Sequence, residues 1–113
     1  MRKAKVFVQG CYAGELIEDE KGHSYRFTYD EGYTGPPVSL TMPVKQKTFS
    51  YDRFPPFFDG LLPEGMQLEG LLKRAKIDRN DLLSQLLKVG LDLVGAVTVE
   101  EKVEGTSGSI NTK

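Results

Sequence analysis

The chain has 113 residues, which is enough for one small domain and too few for the scaffold and site of a complete kinase, dehydrogenase or hydrolase. Leucine, isoleucine, valine and phenylalanine supply 31 residues; this share of about 27% lies above the roughly 20% below which chains stay disordered. Lysine and arginine number 15 against 16 aspartates and glutamates, so the net charge is -1, without the basic excess that favours nucleic acid or an anionic membrane as a partner.

Cysteine content and the N-terminal sequence bear on the compartment. Cys11 is the only cysteine, so no internal disulfide forms and nothing indicates an oxidising compartment. Residues 1–5 are basic but lead into only a few apolar residues, whereas a signal peptide needs an apolar stretch of about 7–15 residues. No run approaches the roughly 18 apolar residues of a membrane span. We therefore expect a cytoplasmic protein.

The first half of the chain, up to about residue 55, combines aromatic and β-branched residues with glycine and proline, which predicts short strands and turns. The predicted strands are 4–10, 15–19, 24–29 and 38–42, with turns at 11–14 and 19–23. The third strand is the most regular, because alternation places Tyr25, Phe27 and Tyr29 on one face and polar residues on the other.

The second half has a helical pattern. A helix of one or two turns is predicted over 57–62 and ends at Pro63. The next helix has an apolar face with helical spacing, formed by Leu68, Leu71, Leu72 and Ala75. A third helix is predicted to begin at an N-cap, Asp78, with Asp81 in a position like that of a capping box, and to stop near Gly90. Its buried side is formed by Leu82, Leu83, Leu86 and Leu87. Residues 95–99 predict a closing strand.

Together these elements predict an α+β fold. Its sheet is small, antiparallel and partly barrel-like, with about five strands, and two to three short helices follow in the C-terminal half. Residues 1–103 are predicted to form one domain. Residues 104–113 are rich in glycine, serine and threonine and are predicted to form a flexible polar tail.

The residues that could carry chemistry are few. His23 is the only histidine and lies in a polar turn, which excludes a histidine-based metal cluster. Cys11 has no CxxC partner and is expected to be packed or half-exposed, and residues 18–20 are expected to form a solvated acidic run. Neither a glycine-rich phosphate loop nor the H-R-D and D-F-G triplets of a protein kinase occur. We expect no catalytic residue, no metal and no cofactor.

The aromatic stripe of the third strand has two interpretations. Tyr25, Phe27 and Tyr29 could stack single-stranded bases in a small nucleic-acid-binding barrel, or they could form the core face of the sheet. The low count of basic residues near them favours the core, and a nucleic-acid-binding barrel is kept as an alternative function.

The segment 54–66 joins the two halves of the chain and is a candidate partner interface. Pro55 and Pro56 restrict the backbone, and the apolar residues that follow are suited either to tie the helices onto the sheet or to face a partner. Residues 63–66 form a rigid corner that ends in a flexible apolar side chain, which is suited to filling a partner's pocket. The predicted interface consists of Phe57, Phe58, Asp59, Leu61, Leu62, Pro63, Glu64, Gly65 and Met66.

Residues 57–65, with the sequence FFDGLLPEG, resemble a signature in the N-terminal subdomain of HipA-type serine/threonine kinase toxins. Further segments agree with that subdomain in the same order along the chain: 6–10, 13–16, 25–29, 37–43 and 92–97. The resemblance therefore spans about residues 3–99. Members of the family often have a bulky aromatic residue after Pro-Glu-Gly, where this chain has Met66.

In HipA-type proteins a kinase core follows this subdomain, whereas here a polar tail follows it. The arrangement resembles HipS, the small separate protein of tripartite HipB-HipS-HipT toxin-antitoxin systems. The resemblance implies a non-catalytic antitoxin that binds and neutralises a HipT-like kinase, with a HipB-like DNA-binding protein as a further member of the complex. A structural or activating subunit of a split HipA-like kinase is the alternative. No direct contact with nucleic acid or membrane is expected.

Overall fold

The computed structural model describes residues 1–90 and 96–102. Within these residues the elements in chain order are β1 (Arg2–Val8), β2 (Cys11–Glu20), β3 (Ser24–Tyr29), β4 (Thr48–Tyr51), α1 (Pro56–Asp59), α2 (Gly65–Ala75), α3 (Leu82–Val89) and β5 (Val97–Glu101). The strands form one antiparallel sheet in the order β4-β3-β2-β1-β5. The α+β class is confirmed. The sheet is not closed into a barrel, because β4 and β5 form its two edges.

One face of the sheet carries the core, as alternation along the strands requires. Across the strands the register aligns apolar residues in rows on this face, for example Ala4, Leu16, Phe27 and Phe49. Phe27 and Tyr29 meet edge to face, with ring centroids 4.8 Å apart, and both are buried together with Tyr25. The predicted role of the aromatic stripe as a core face is therefore confirmed, and its rings are not exposed for stacking on bases.

The turn between the first two strands lies earlier than the sequence indicated. The prediction of a turn at 11–14 is wrong, because the chain reverses at Gln9 and Gly10, both with positive φ (51° and 82°), as in the two-residue turns that suit a β-hairpin. Residues 11–14 instead belong to β2. Gly14 lies against the backbone of β3, where there is no room for a side chain.

The long connection between β3 and β4 also differs from the prediction. Residues 38–42 form a tight turn with an isolated bridge between Ser39 and Met42 in place of a strand. The Tyr29 hydroxyl donates to the Met42 carbonyl oxygen and accepts from the Val38 N–H at 2.8 Å, so it satisfies backbone groups that a neighbouring strand would otherwise pair.

The strand that pairs with β3 comes later, at β4. It escaped prediction because it has only four residues, of which only Phe49 is buried. The closing strand was expected at 95–99 and is observed as β5. Residue 95 and the predicted tail at 104–113 lie outside the described residues.

The helices agree with the predicted order. Pro56 occupies the first turn of α1, where its missing N–H costs no hydrogen bond. The α2 helix begins at Gly65. The α3 helix stops near Gly90, as predicted: Gly90 is its C-cap, and the Gly90 carbonyl accepts the N–H of Val99 in β5 at 3.0 Å. No helix in the described part of the chain has both the length and the apolar character needed to cross a bilayer.

The N-cap of α3 is Asp81 and not Asp78, which corrects the prediction. The Asp81 carboxylate accepts from the Ser84 N–H at 3.2 Å, whereas Asp78 accepts from the Asn80 N–H at 2.7 Å in the turn before the helix. In the sequence both aspartates occupy positions that suit an N-cap. In the structure residues 78–81 form a turn, closed by the Asp81 N–H donating to the Asp78 carbonyl oxygen at 3.0 Å, so that Asp81 directly precedes the first helical residue.

Candidate functional site

The candidate interface is the corner formed by residues 57–66, between the start of α1 and the start of α2. Phe58 holds this corner from inside, because it is completely buried and packs against Phe27 of the sheet, with ring centroids 6.0 Å apart. Phe57 packs edge to face on Phe58 at 5.2 Å. The backbone continues beyond α1 with turn hydrogen bonds, from Leu61 to Phe58 and from Leu62 to Asp59, both at 3.1 Å. The corner is thus tied to the sheet by its aromatic residues.

The nine predicted interface residues divide by exposure. Phe58 is buried, and four others are half-buried: Phe57, Leu61, Leu62 and Pro63. The exposed ones are Asp59, Glu64, Gly65 and Met66. The apolar residues of α1 thus anchor the corner, while its outer surface presents two carboxylates and one large apolar side chain.

Met66 is the most exposed residue of the corner that has a large apolar side chain, with 90% of its surface accessible. It lies in the first turn of α2, directly after Gly65, whose φ of 60° suits glycine. Pro63 restricts the backbone three residues before Met66. The main chain at Met66 is therefore restricted by Pro63 before it and by the α2 helix to which it belongs, whereas the unbranched side chain can adapt to the shape of a pocket.

A second cluster of functional groups lies at the end of the sheet beside α3 and was not predicted. The Arg2 guanidinium donates to the Glu18 carboxylate at 2.7 Å, to Asp81 at 2.8 Å and to the Ser84 hydroxyl at 2.8 Å. Glu18 is only 3% exposed, which corrects the expectation that residues 18–20 form a solvated run. Arg2, Glu18 and Tyr25 are aligned by the strand register on the core face, so the α3 N-terminus covers them.

The protonation states in this cluster follow from its geometry. Burial by itself raises the pKa of Glu18, but hydrogen bonds from Arg2 and from the Gly22 N–H outweigh it and hold that pKa below its usual value of 4.5. The pKa of Asp81 is likewise lowered below 3.8, because the hydrogen bonds from Arg2 and Ser84 outweigh burial. Burial and the Glu18 carboxylate raise the pKa of Tyr25 to about 12. The cluster therefore holds a guanidinium and two carboxylates in their charged forms at neutral pH, which makes it a structural clamp.

His23 and Cys11, the two other residues considered as possible reactive groups, lie in different parts of the fold. His23 lies exposed in the turn between β2 and β3, as predicted. Cys11 is exposed at the start of β2, more so than expected, because the hairpin turn directly precedes it. Among the described residues, no group of three or more histidines, cysteines, aspartates and glutamates is placed to hold a metal ion.

Leu40 is a further candidate that the sequence did not indicate; at 94% it has the highest exposure of any large apolar residue described. The strand predicted over 38–42 includes Leu40 and gives no indication that its side chain is exposed. The available signal was the composition around it, because residues 32–44 contain no aspartate, glutamate, lysine or arginine.

Comparison with known proteins shows to which family the chain belongs. A family model described as the HipA N-terminal domain matches residues 4–100. The chain belongs to the HipA N-terminal domain family. Among solved structures it is similar to one described as the N-terminal domain of HipA toxin, with 33% sequence identity and a TM-score of 0.72 over 93% of this chain and 96% of the other. The resemblance inferred from the FFDGLLPEG segment is thereby confirmed.

A further relative is an uncharacterized protein of Haemophilus influenzae, which is 36% identical over 102 residues, covering 90% of this chain and 94% of the relative. All nine residues of the predicted interface lie inside the part that matches the HipA N-terminal domain. The corner is therefore part of the shared domain and not an addition to it.

Proposed function

We propose that this chain is the antitoxin of a HipB-HipS-HipT-type toxin-antitoxin system and that it binds and neutralises a HipT-like serine/threonine kinase. Its membership in the HipA N-terminal domain family supports a role beside such a kinase. The Haemophilus relative adds support, because the match covers 94% of that protein, which leaves little of it outside this domain. The HipB-like DNA-binding protein is the third component of the proposed system, and no direct contact of this chain with nucleic acid is proposed.

The observation that carries the proposal is the presentation of Met66 at a corner anchored to the core. Burying one methionine side chain in a pocket contributes about 1.5–3 kcal/mol to binding. Because the Phe58 ring, the restricted backbone of Pro63 and the α2 helix hold the corner in place, little ordering is required when a partner binds. Asp59 and Glu64 are the exposed carboxylates of the same corner, and they favour a partner surface that carries basic residues.

Neutralisation by this route needs no chemistry from the chain itself. Phosphoryl transfer requires that the nucleotide is held between the kinase lobes and that the catalytic groups close on it. A domain bound to the N-lobe, with Met66 in or near the nucleotide pocket, obstructs one or both of these steps. Occupancy alone therefore inhibits the kinase, and no catalytic residue is assigned to this chain.

The first test is co-expression of the chain with a HipT-like kinase, scored by growth rescue and by co-purification. Rescue together with a stable complex supports the antitoxin role. A stable complex without rescue, or with increased autophosphorylation of the kinase, identifies instead a structural or activating subunit of a split HipA-like kinase. Absence of a complex overturns the proposal.

The corner is tested with two substitutions at one position. We expect Met66→Asp to weaken binding of the kinase by at least about tenfold, because it places a charge where an apolar contact forms. Met66→Leu is the matched control, since it keeps the apolar character, and its affinity should stay within about threefold of the native value. Equal affinity of the Met66→Asp variant and the native chain would show that the side chain does not enter the interface.

A further inference from the structure

We infer that the kinase-binding surface extends from the corner to a second apolar contact, Leu40, at the tip of the turn between β3 and β4. The inference rests on the proposed function, which it deepens by naming a second part of the interface. The occupant is the same kinase, which must offer Leu40 a separate uncharged pocket.

Exposure first distinguishes Leu40. Among the described residues the exposed large apolar side chains are Met1, Tyr12, Leu40 and Met66. Met1 is the first residue of the sequence, and Tyr12 is only 37% exposed and packs on Phe7. Leu40 and Met66, at 94% and 90%, are the two whose side chains project almost fully into solvent from positions within the fold. Single exposed leucines are common on soluble proteins, so the argument depends on how Leu40 is held.

The turn that carries Leu40 is fixed at both ends. The Met42 N–H donates to the Ser39 carbonyl oxygen at 2.9 Å, which closes a four-residue turn with Leu40 in its second position. Val38 and Met42, on either side, are buried in the core. The Tyr29 hydroxyl bonds to the backbone of both, as described above. Leu40 is therefore held outward by a turn that is already ordered, so its binding costs little conformational entropy.

The Leu40 turn and the corner lie over the same face of the sheet. The turn is bonded to Tyr29, and the corner is packed through Phe58 on Phe27. Phe27 and Tyr29 are two residues apart on β3, so their side chains share a face, and their ring centroids are 4.8 Å apart. The Leu40 turn and the corner therefore belong to the same layer over this face of the sheet, and the proposed partner spans both.

Charge indicates what kind of surface faces Leu40. The chain is 27% charged overall, yet residues 32–44 carry no charged side chain, the longest such stretch in the sequence. The centres of protein interfaces are depleted of charged residues, whereas an ordinary solvated loop is not. The contact at Leu40 is therefore apolar, in contrast to the corner, which exposes Asp59 and Glu64 as well as Met66.

The test measures the affinity of purified variants for a purified, catalytically inactive HipT-like kinase by calorimetry. We expect Leu40→Ala to raise the Kd about tenfold and Leu40→Asp to raise it further. The matched control is His23→Asp, which introduces the same negative group in an exposed turn at the opposite end of β3. Thermal unfolding midpoints of all three variants should equal that of the native chain, because Leu40 and His23 are exposed.

The outcomes separate this inference from the proposed function. If the native chain binds and Leu40→Asp binds within about twofold of it, the second contact does not exist, whatever the effect of Met66→Asp. An equal loss in Leu40→Asp and His23→Asp also overturns the inference, because the effect is then one of net charge. If the native chain does not bind, the proposed function fails and this inference fails with it.

Discussion

Replacement of Arg2 by methionine tests the structural clamp that joins the sheet to α3. The substitution keeps an unbranched apolar stem and removes the guanidinium that bonds to Glu18, Asp81 and Ser84. Glu18 is then left as a buried carboxylate without its cation. We expect the domain to remain folded and to lose free energy of unfolding.

The expected loss follows from how buried the partners are. Breaking a buried ion pair by removing one partner costs about 3–5 kcal/mol, whereas an exposed pair contributes about 0–1 kcal/mol. The Glu18 side chain is 4% exposed, but the Arg2 side chain is 34% exposed and is partly screened by solvent. We therefore expect a loss of about 2–3 kcal/mol at neutral pH. For a domain of this size, that lowers the midpoint of urea unfolding by about 1–2 M.

The loss depends on pH with a defined sign. In the native chain the pKa values of Glu18 and Asp81 lie below 4.5 and 3.8, so their stabilisation is complete at neutral pH. This stabilisation begins to fall as the pH drops through 4.5 and 3.8, the pKa values of the two carboxyl groups in the unfolded chain. It is lost as the pH falls through their lower pKa values in the folded chain. In the Arg2→Met variant, burial without the cation raises the pKa of Glu18, so that the folded state gains by binding a proton as the pH decreases. The difference in free energy of unfolding between the native chain and the Arg2→Met variant should therefore shrink from pH 7 to pH 4.

The assay is urea unfolding followed by circular dichroism at pH 7, 5.5 and 4. Arg79→Met is the matched control, because Arg79 forms an ion pair with Glu69 at the same 2.7 Å, but both side chains are 59% exposed. The control should change stability by less than about 0.5 kcal/mol at each pH. Equal losses in the two variants, or a loss in Arg2→Met that does not vary between pH 7 and pH 4, would refute the reasoning.

Two further predictions concern packing. Gly14→Ala should cost at least about 2 kcal/mol, since the new Cβ would lie 2.9 Å from the Tyr29 Cα and closer still to a backbone carbonyl; Gly32→Ala, with room for the methyl group, is the control in the same unfolding assay. Phe58→Ala should lower the free energy of unfolding by about 3–5 kcal/mol, because its ring is fully buried. Met66→Ala should leave the unfolding midpoint unchanged, because Met66 is 90% exposed. Similar losses in both variants would show that Phe58 does not anchor the corner while Met66 serves only as a contact for a partner.

Local sequence was sufficient wherever the chain's own periodicity sets the structure. The alternation in 24–29 predicted β3 and its buried face, since a strand places successive side chains on opposite sides whatever lies beyond it. The spacing of Leu68, Leu71 and Leu72 predicted α2 in the same way. The FFDGLLPEG segment indicated the HipA N-terminal domain family, and the family match confirms it.

Contacts between distant parts of the chain decided the rest. Residues 38–42 read as a strand in isolation and form a turn because one hydroxyl, from Tyr29, takes up the backbone groups of Val38 and Met42. Glu18 reads as part of a solvated acidic run and is buried because the register brings Arg2 beside it and the N-terminus of α3 over it. Sequence patterns report which face of an element is apolar. Only the tertiary structure determines which distant groups satisfy a buried charge or a free backbone amide, because hydrogen bonds between residues 79 apart in the chain, such as Arg2 to Asp81, leave no local signal.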